Sequence, residues 1–188
     1  SVSWSPDGGR LASCGDGGIV RVWDAKTGEA KRQLEGHTGP VTSVSWSPDG
    51  GHLASCGNDR VVRVWDASTG EQLRTLEGHK DKVRHVSWSA DGRLLASKST
   101  DGPVRLWRTD MWDVVAEYMA DWTGVIERHA FHPSLPVLAG RGVGGTHDIR
   151  ILEYDLDVLL GEDAVPSEQY ANAKVVLVGD TGVGKTAL

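Results

Sequence analysis

Residues 43–79 read SVSWSPDGGHLASCGNDRVVRVWDASTGEQLRTLEGH, and residues 1–37 read SVSWSPDGGRLASCGDGGIVRVWDAKTGEAKRQLEGH. The second stretch is the first repeated with small changes. Across their opening 15 residues the two copies differ only at Arg10 against His52. Tryptophans mark the period: Trp4, Trp46 and Trp88 form one series and Trp23, Trp65 and Trp107 another, each at steps of 42 residues. Self-similarity at a fixed period of this size is the signature of a stacked repeat architecture. Within a unit, SVSW alternates polar and apolar residues and then meets Ser-Pro-Asp-Gly, where proline presets one backbone angle and glycine accepts a positive one, so the chain turns. LASC, VVRVW and EQLRTLEG follow, separated by Gly57-Asn58-Asp59 and by Ala67-Ser68-Thr69-Gly70. The pattern predicts four short antiparallel strands per unit, a sheet that cannot cover both of its faces and must stack on its neighbours.

Two dipeptides connect this pattern to a known family. Gly36-His37 and Gly78-His79 are each followed, after about 28 residues, by Trp65-Asp66 and Trp107-Arg108 respectively. The unit resembles the WD40 repeat of β-propellers. The resemblance is strong over residues 1–109, weaker over 110–155, and implies an all-β fold of about four four-stranded blades within residues 1–160. It further implies that His37, Ser55, Asp59 and Trp65 form a hydrogen-bonded set, and that His79, Ser97, Asp101 and Trp107 form the same set one blade later. The first copy departs from the pattern, because Gly17 stands where Asp59 would be and no Gly-His precedes it.

The later units are less regular. MWDVVAEYM at 111–119 reads as the outer strand of the third blade, although its charge spacing also permits a short helix. GVIERHAFHPSLPVLAG parallels the opening of the earlier copies, with Phe131 in the tryptophan position, and DIRILEYD places Leu152 where Trp107 stood. Ala120-Asp121 replaces the Gly-His, and Gly140 to Gly145 lengthens a turn. This weakened unit is expected to end the array; a binding loop is the alternative. Residues 155–173 read as a last short strand or turn and then a linker over 161–173.

KVVLVGDTGVGKTAL at 174–188 carries a different chemistry. An apolar strand, Lys174 to Val178, runs into Gly179, Asp180, Thr181, Gly182, Val183, Gly184, Lys185 and Thr186, the G-x-x-x-x-G-K-[ST] pattern between strand and helix. Such glycines let successive N–H groups converge on phosphate oxygens at a helix N-terminus. Lys185 is expected to reach the β and γ phosphates and Thr186 to ligate Mg²⁺. The segment resembles the first strand and phosphate loop of the Ras/Rab-like small GTPases. That resemblance implies an α/β nucleotide-binding unit at 174–188, truncated here, in a longer parent that uses GTP and Mg²⁺ as cofactors. With no switch threonine, Asp-x-x-Gly or Asn-Lys-x-Asp after Leu188, the chain itself is expected to hold no cofactor and to have no hydrolase activity.

Composition bounds the rest. At 188 residues the chain is too short for the seven or eight blades usual in this family, which need about 300. It starts inside a strand pattern without methionine and is expected to be part of a longer protein. The net charge of -6, with no basic run, argues against nucleic acid. No run approaches 18 apolar residues and no leader is recognisable, so neither membrane insertion nor secretion is expected. Cys14 and Cys56 occupy one repeat position and point alike, so two reduced thiols in a cytoplasmic protein are expected rather than a disulfide or a metal site. The function these readings imply is a scaffold for protein partners, or a nucleotide-driven switch in the parent. Arg60 and Lys98 on the turns are candidate contacts. Four wedges of this kind close poorly into a ring, whereas two copies supply eight, so self-association as a dimer is expected. The free edge after Glu153 favours further strand pairing.

Overall fold

The computed structural model describes residues 1–118, 129–141, 149–161 and 175–178. Among these, the strands assemble into four separate four-stranded antiparallel sheets, one per repeat. Blade 1 holds β1 (Val2–Trp4), β2 (Arg10–Cys14), β3 (Ile19–Asp24) and β4 (Ala30–Glu35). Blade 2 holds β5 (Val41–Trp46), β6 (His52–Gly57), β7 (Val62–Asp66) and β8 (Gln72–Leu76). Blade 3 holds β9 (Val83–Trp88), β10 (Leu94–Ser99), β11 (Val104–Arg108) and β12 (Val114–Tyr118), the last a strand rather than a helix. Blade 4 holds β13 (His129–Phe131), β14 (Val137–Arg141), β15 (Ile149–Glu153) and β16 (Val175–Val178).

Register explains why the tryptophan period decides the fold. In the second strand of each blade a leucine lies opposite one aromatic on either side: Leu11 pairs Trp4 and Trp23, Leu53 pairs Trp46 and Trp65, and Leu95 pairs Trp88 and Trp107. Blade 4 keeps the rule with Leu138 between Phe131 and Leu152. A register shift falls immediately before the tryptophan in the outer pairing of blades 1, 2 and 3, at Val22/Trp23, Val64/Trp65 and Leu106/Trp107. Such a bulge re-aims the side chain that follows it.

Among the described residues the buried apolar side chains fall into three clusters, and each lies between blades rather than within one. Trp65 and Leu53 of blade 2 pack with Ala12, Val20 and Leu34 of blade 1. Trp107 and Leu95 of blade 3 pack with Ala54, Val62 and Val64 of blade 2. Leu138 and Leu152 of blade 4 pack with Leu94, Val104 and Leu106 of blade 3. Neighbouring blades therefore share cores, as stacked repeats require.

Two expectations for the C-terminal part need correction. The residues after Glu153, expected as a last short strand or turn, form a one-turn helix, α1 (Leu156–Leu160), because the Asp155 carboxylate accepts from the N–H groups of Asp157 and Val158 at 3.0 and 3.3 Å. An Asp at this place caps a helix start, and Leu159 is then buried in the blade 3/4 core. Val175–Val178, expected as the first strand of a separate α/β unit, is instead the antiparallel fourth strand of blade 4, with Ile149 opposite Val178 and Leu152 opposite Val175. A four-residue apolar run carries no periodicity that separates these two roles, and the exposed edge of β15 supplies a partner. Ala120-Asp121, residues 142–145 of the glycine-rich turn, the linker from 162 onward, Lys174 and the phosphate-loop residues Gly179, Asp180, Thr181, Gly182, Val183, Gly184, Lys185 and Thr186 lie outside the described residues.

Candidate interaction site

The structure brings His37, Ser55, Asp59 and Trp65 together. The Trp65 indole N–H donates to Ser55 Oγ at 2.8 Å, and Ser55 Oγ lies 2.8 Å from His37 Nε2. His37 Nδ1 lies 2.8 Å from Asp59 Oδ2. Donor and acceptor chemistry orders the chain: the indole only donates and the ionised carboxylate only accepts, so the serine hydroxyl donates to His37 Nε2 and His37 Nδ1–H donates to Asp59. His79, Ser97, Asp101 and Trp107 repeat the arrangement, with Trp107 to Ser97 and Ser97 to His79 both 2.8 Å and His79 Nδ1 to Asp101 Oδ1 3.2 Å. Each carboxylate also ties down the loop carrying its histidine, through Thr38 N at 3.3 Å and Lys80 N at 2.7 Å. In blade 1 only the Trp23 to Ser13 bond, 2.8 Å, is made.

The glycine of each Gly-His pair has a local reason. Gly36 and Gly78 have φ of +154° and +132°, and a Cβ on Gly36 would stand 3.2 Å from Trp65 Cη2. Only glycine lets the loop lie down on the indole at that angle.

A further partner of the network was not foreseen from the sequence. Arg63 Nη2 sits 3.7 Å from Asp59 and Arg105 Nη1 sits 3.6 Å from Asp101, while Arg105 Nε also reaches Glu117 at 2.6 Å. Its signal was present, since Arg21, Arg63 and Arg105 recur with the tryptophan period. Burial holds the His79 imidazole down at about 4, with Arg105 adding to the effect and Asp101 opposing it. His37 is lowered in the same way, by burial first, against the pull of Asp59. Both histidines are therefore neutral at neutral pH, as the hydrogen-bond order requires.

These sets are buried and leave no surface of their own, so the contact surface lies elsewhere. Arg60 stands exposed on its turn at φ +71°. Lys98, expected on a turn, is an interior residue of β10, 3% exposed, and donates to the Gly102 carbonyl. Cys14 and Cys56 are both free thiols, and burial pushes Cys56 up to about 12. Among the described residues, no group of three or more His, Cys, Asp or Glu side chains could hold a metal ion, and no helix is long and apolar enough to cross a membrane.

The most exposed aromatic of the repeat series is Trp4. Its equivalents are closed against the preceding blade: the Trp46 indole donates to the Ser3 carbonyl at 3.1 Å and lies under the Arg10 guanidinium at 4.6 Å, and Trp88 donates to the Ser45 carbonyl at 3.2 Å. Trp46 and Trp88 are 6% and 9% exposed, whereas Trp4 is 60% exposed and Val2 beside it 67%.

Four-stranded sheets stacked through shared cores, with buried Trp-Ser-His-Asp sets, define a propeller-type repeat protein. The chain belongs to the WD40 family: the model for "WD domain, G-beta repeat" matches residues 1–24, 28–66 and 70–108. It is 44% identical over 36 residues to Polyadenylation factor subunit 2 of Cryptococcus neoformans, a stretch covering 19% of this chain and 5% of that protein. It is 56% identical over 34 residues to WD repeat-containing protein 41 of Homo sapiens, covering 18% of this chain and 7% of that protein. Each of these likenesses is about one repeat long, and the matched stretch spans only a small part of either relative.

Proposed function

We propose that the chain is a scaffold for protein–protein interaction and that the outer face of blade 1 is its docking surface, with a second copy of the chain as occupant. The observation that carries this is Trp4. Its residue type and register are those of Trp46 and Trp88, which bury their rings against a neighbouring blade, yet its own ring is exposed. Large aromatic side chains on an open apolar face are what dominate binding energy at interfaces. Following the repeat order, the carbonyl equivalent to Ser3 and Ser45 in the last blade is that of Ala130, so a head-to-tail second copy offers Trp4 an acceptor of the same kind. A photo-crosslinking residue in place of Trp4 should yield adducts of twice the chain mass whose linked peptides come from residues 129–141. Adducts with other proteins alone would keep the scaffold and remove the dimer, and no protein adduct at all would overturn both.

A second reading rests on the sequence of residues 179–186. The G-x-x-x-x-G-K-T pattern supports a parent in which the repeats are coupled to a GTP-binding unit acting as a switch or hydrolase, with Lys185 on the phosphates and Thr186 on Mg²⁺. Calorimetry should show no micromolar binding of GTP or ATP by residues 1–188 and binding of GTP by a chain extended beyond Leu188. Micromolar binding by the shorter chain, or none by the longer, would refute it.

A further inference from the structure

Between the inner strands β1, β5 and β9 runs a groove of about 600 Å³ whose lining is dominated by hydroxyl, amide and charged groups. That volume falls within the range of about 300–1,000 Å³ typical of ligand sites. Three of the residues that line it carry a buried polar atom with no hydrogen-bond partner: Asn58 Oδ1 in the turn between β6 and β7, and Arg84 Nε and Ser87 Oγ on β9. Buried polar groups are ordinarily satisfied, so the two orphans on β9 call for something that satisfies them.

Comparison of blades sharpens the point. The residue equivalent to Arg84 in blade 2 is Thr42, whose hydroxyl is spent within the fold, donating to the Val83 carbonyl at 2.5 Å with the Cys56 carbonyl also 3.1 Å away. Arg84 abandons that arrangement and forms no hydrogen bond or ion pair among the described residues. Asp81 senses its charge only as the last of several influences. A second departure lies beside it. The Ser3 and Ser45 carbonyls each receive an indole N–H from the next blade, but the aromatic that follows Ser87 is Phe131, which has no N–H to give. The blade 3 end of the groove therefore offers a guanidinium, a hydroxyl and a carbonyl together, while the exposed carboxylate of Asp16 marks the blade 1 end.

We infer that the groove binds an extended peptide that presents an Asp or Glu side chain to Arg84. A planar guanidinium pairs with a carboxylate through parallel N–H donors, which a serine hydroxyl can supplement. An extended backbone suits the site because β1, β5 and β9 are the terminal strands of their sheets. Asn58 Oδ1 and the Ser87 carbonyl are acceptors for peptide N–H groups. Asp16 excludes a second acid at the far end. The inference rests on the scaffold reading and names the chemistry of one partner.

The test uses two pools of fluorescent heptapeptides, random except at the centre, which is Asp or Glu in one and Asn or Gln in the other. Anisotropy with the whole chain should show the acidic pool binding at least tenfold more tightly, and R84Q should abolish that preference. R74Q, on the exposed outer strand β8, should not. R84K, which retains charge but not the fork, should lie between, and it serves as the working variant if R84Q fails to fold. Equal binding of the two pools, or an unchanged preference in R84Q, overturns the inference. Peptide binding that ignores charge would leave the scaffold reading intact. Free glutarate competing as well as the acidic pool would show a small carboxylate to be the ligand and overturn the peptide assignment.

Discussion

Trp65→Ala is expected to lower the free energy of unfolding by about 3–5 kcal/mol, and Trp23→Ala by clearly less. The two residues occupy the same repeat position and the same register opposite a leucine, so propensity and local pairing predict equal costs. Their surroundings differ. Trp65 is 1% exposed and belongs to the cluster joining blades 1 and 2, so its removal opens a cavity across an interface that both sheets share. Trp23 is only half-buried and lies in none of the three clusters. Trp65→Ala also deprives Ser55 of its indole donor at the centre of the buried set. Denaturant unfolding followed by circular dichroism measures both variants against the parent. Equal losses for the two would mean that each blade is stabilised on its own and that the shared cores carry little.

The contrast also shows how far the sequence could be read. A period of 42 with tryptophan at two fixed places was enough to predict the blades, because the same Leu-aromatic pairing recurs at every repeat. Even Phe131 and Leu152 could be placed by that frame. Lys98 could not: the third repeat puts it where Cys14 and Cys56 stand, inside the second strand, but a lysine among turn residues reads as solvated. The role of Val175–Val178 was also beyond reach, since its apolar run serves a parallel strand before a phosphate loop as well as an antiparallel blade edge. The groove at Arg84 was missed for another reason. Its meaning lies in what Arg84 lacks relative to Thr42, and a missing partner is visible only once neighbouring blades are placed side by side.

Acidification from neutral pH toward 4 should weaken the fold through its buried histidines. His79 has an ordinary value of 6.5 when the chain is unfolded and is held at about 4 in the fold, chiefly by burial. Between these values the unfolded chain binds a proton that the folded chain refuses, so stability is full above pH 6.5 and declines as pH falls toward 4. For His79 alone the loss is about 3 kcal/mol across that window. His37 adds a loss of the same sign. The hydrogen-bond order gives the structural reason. A proton on His79 Nε2 would face the Ser97 hydroxyl, which must then give up its role as donor while still accepting from Trp107. Asp101, despite burial, is held below its ordinary value by the Lys80 N–H and His79. Unfolding free energies measured at intervals from pH 7 to pH 4.2 should therefore fall steeply for the parent. His79→Gln should be less stable at pH 7 yet lose less on acidification, because glutamine has no proton to take up. Parallel pH profiles for the two proteins would show that the buried His79 imidazole is not what makes the fold sensitive to acid.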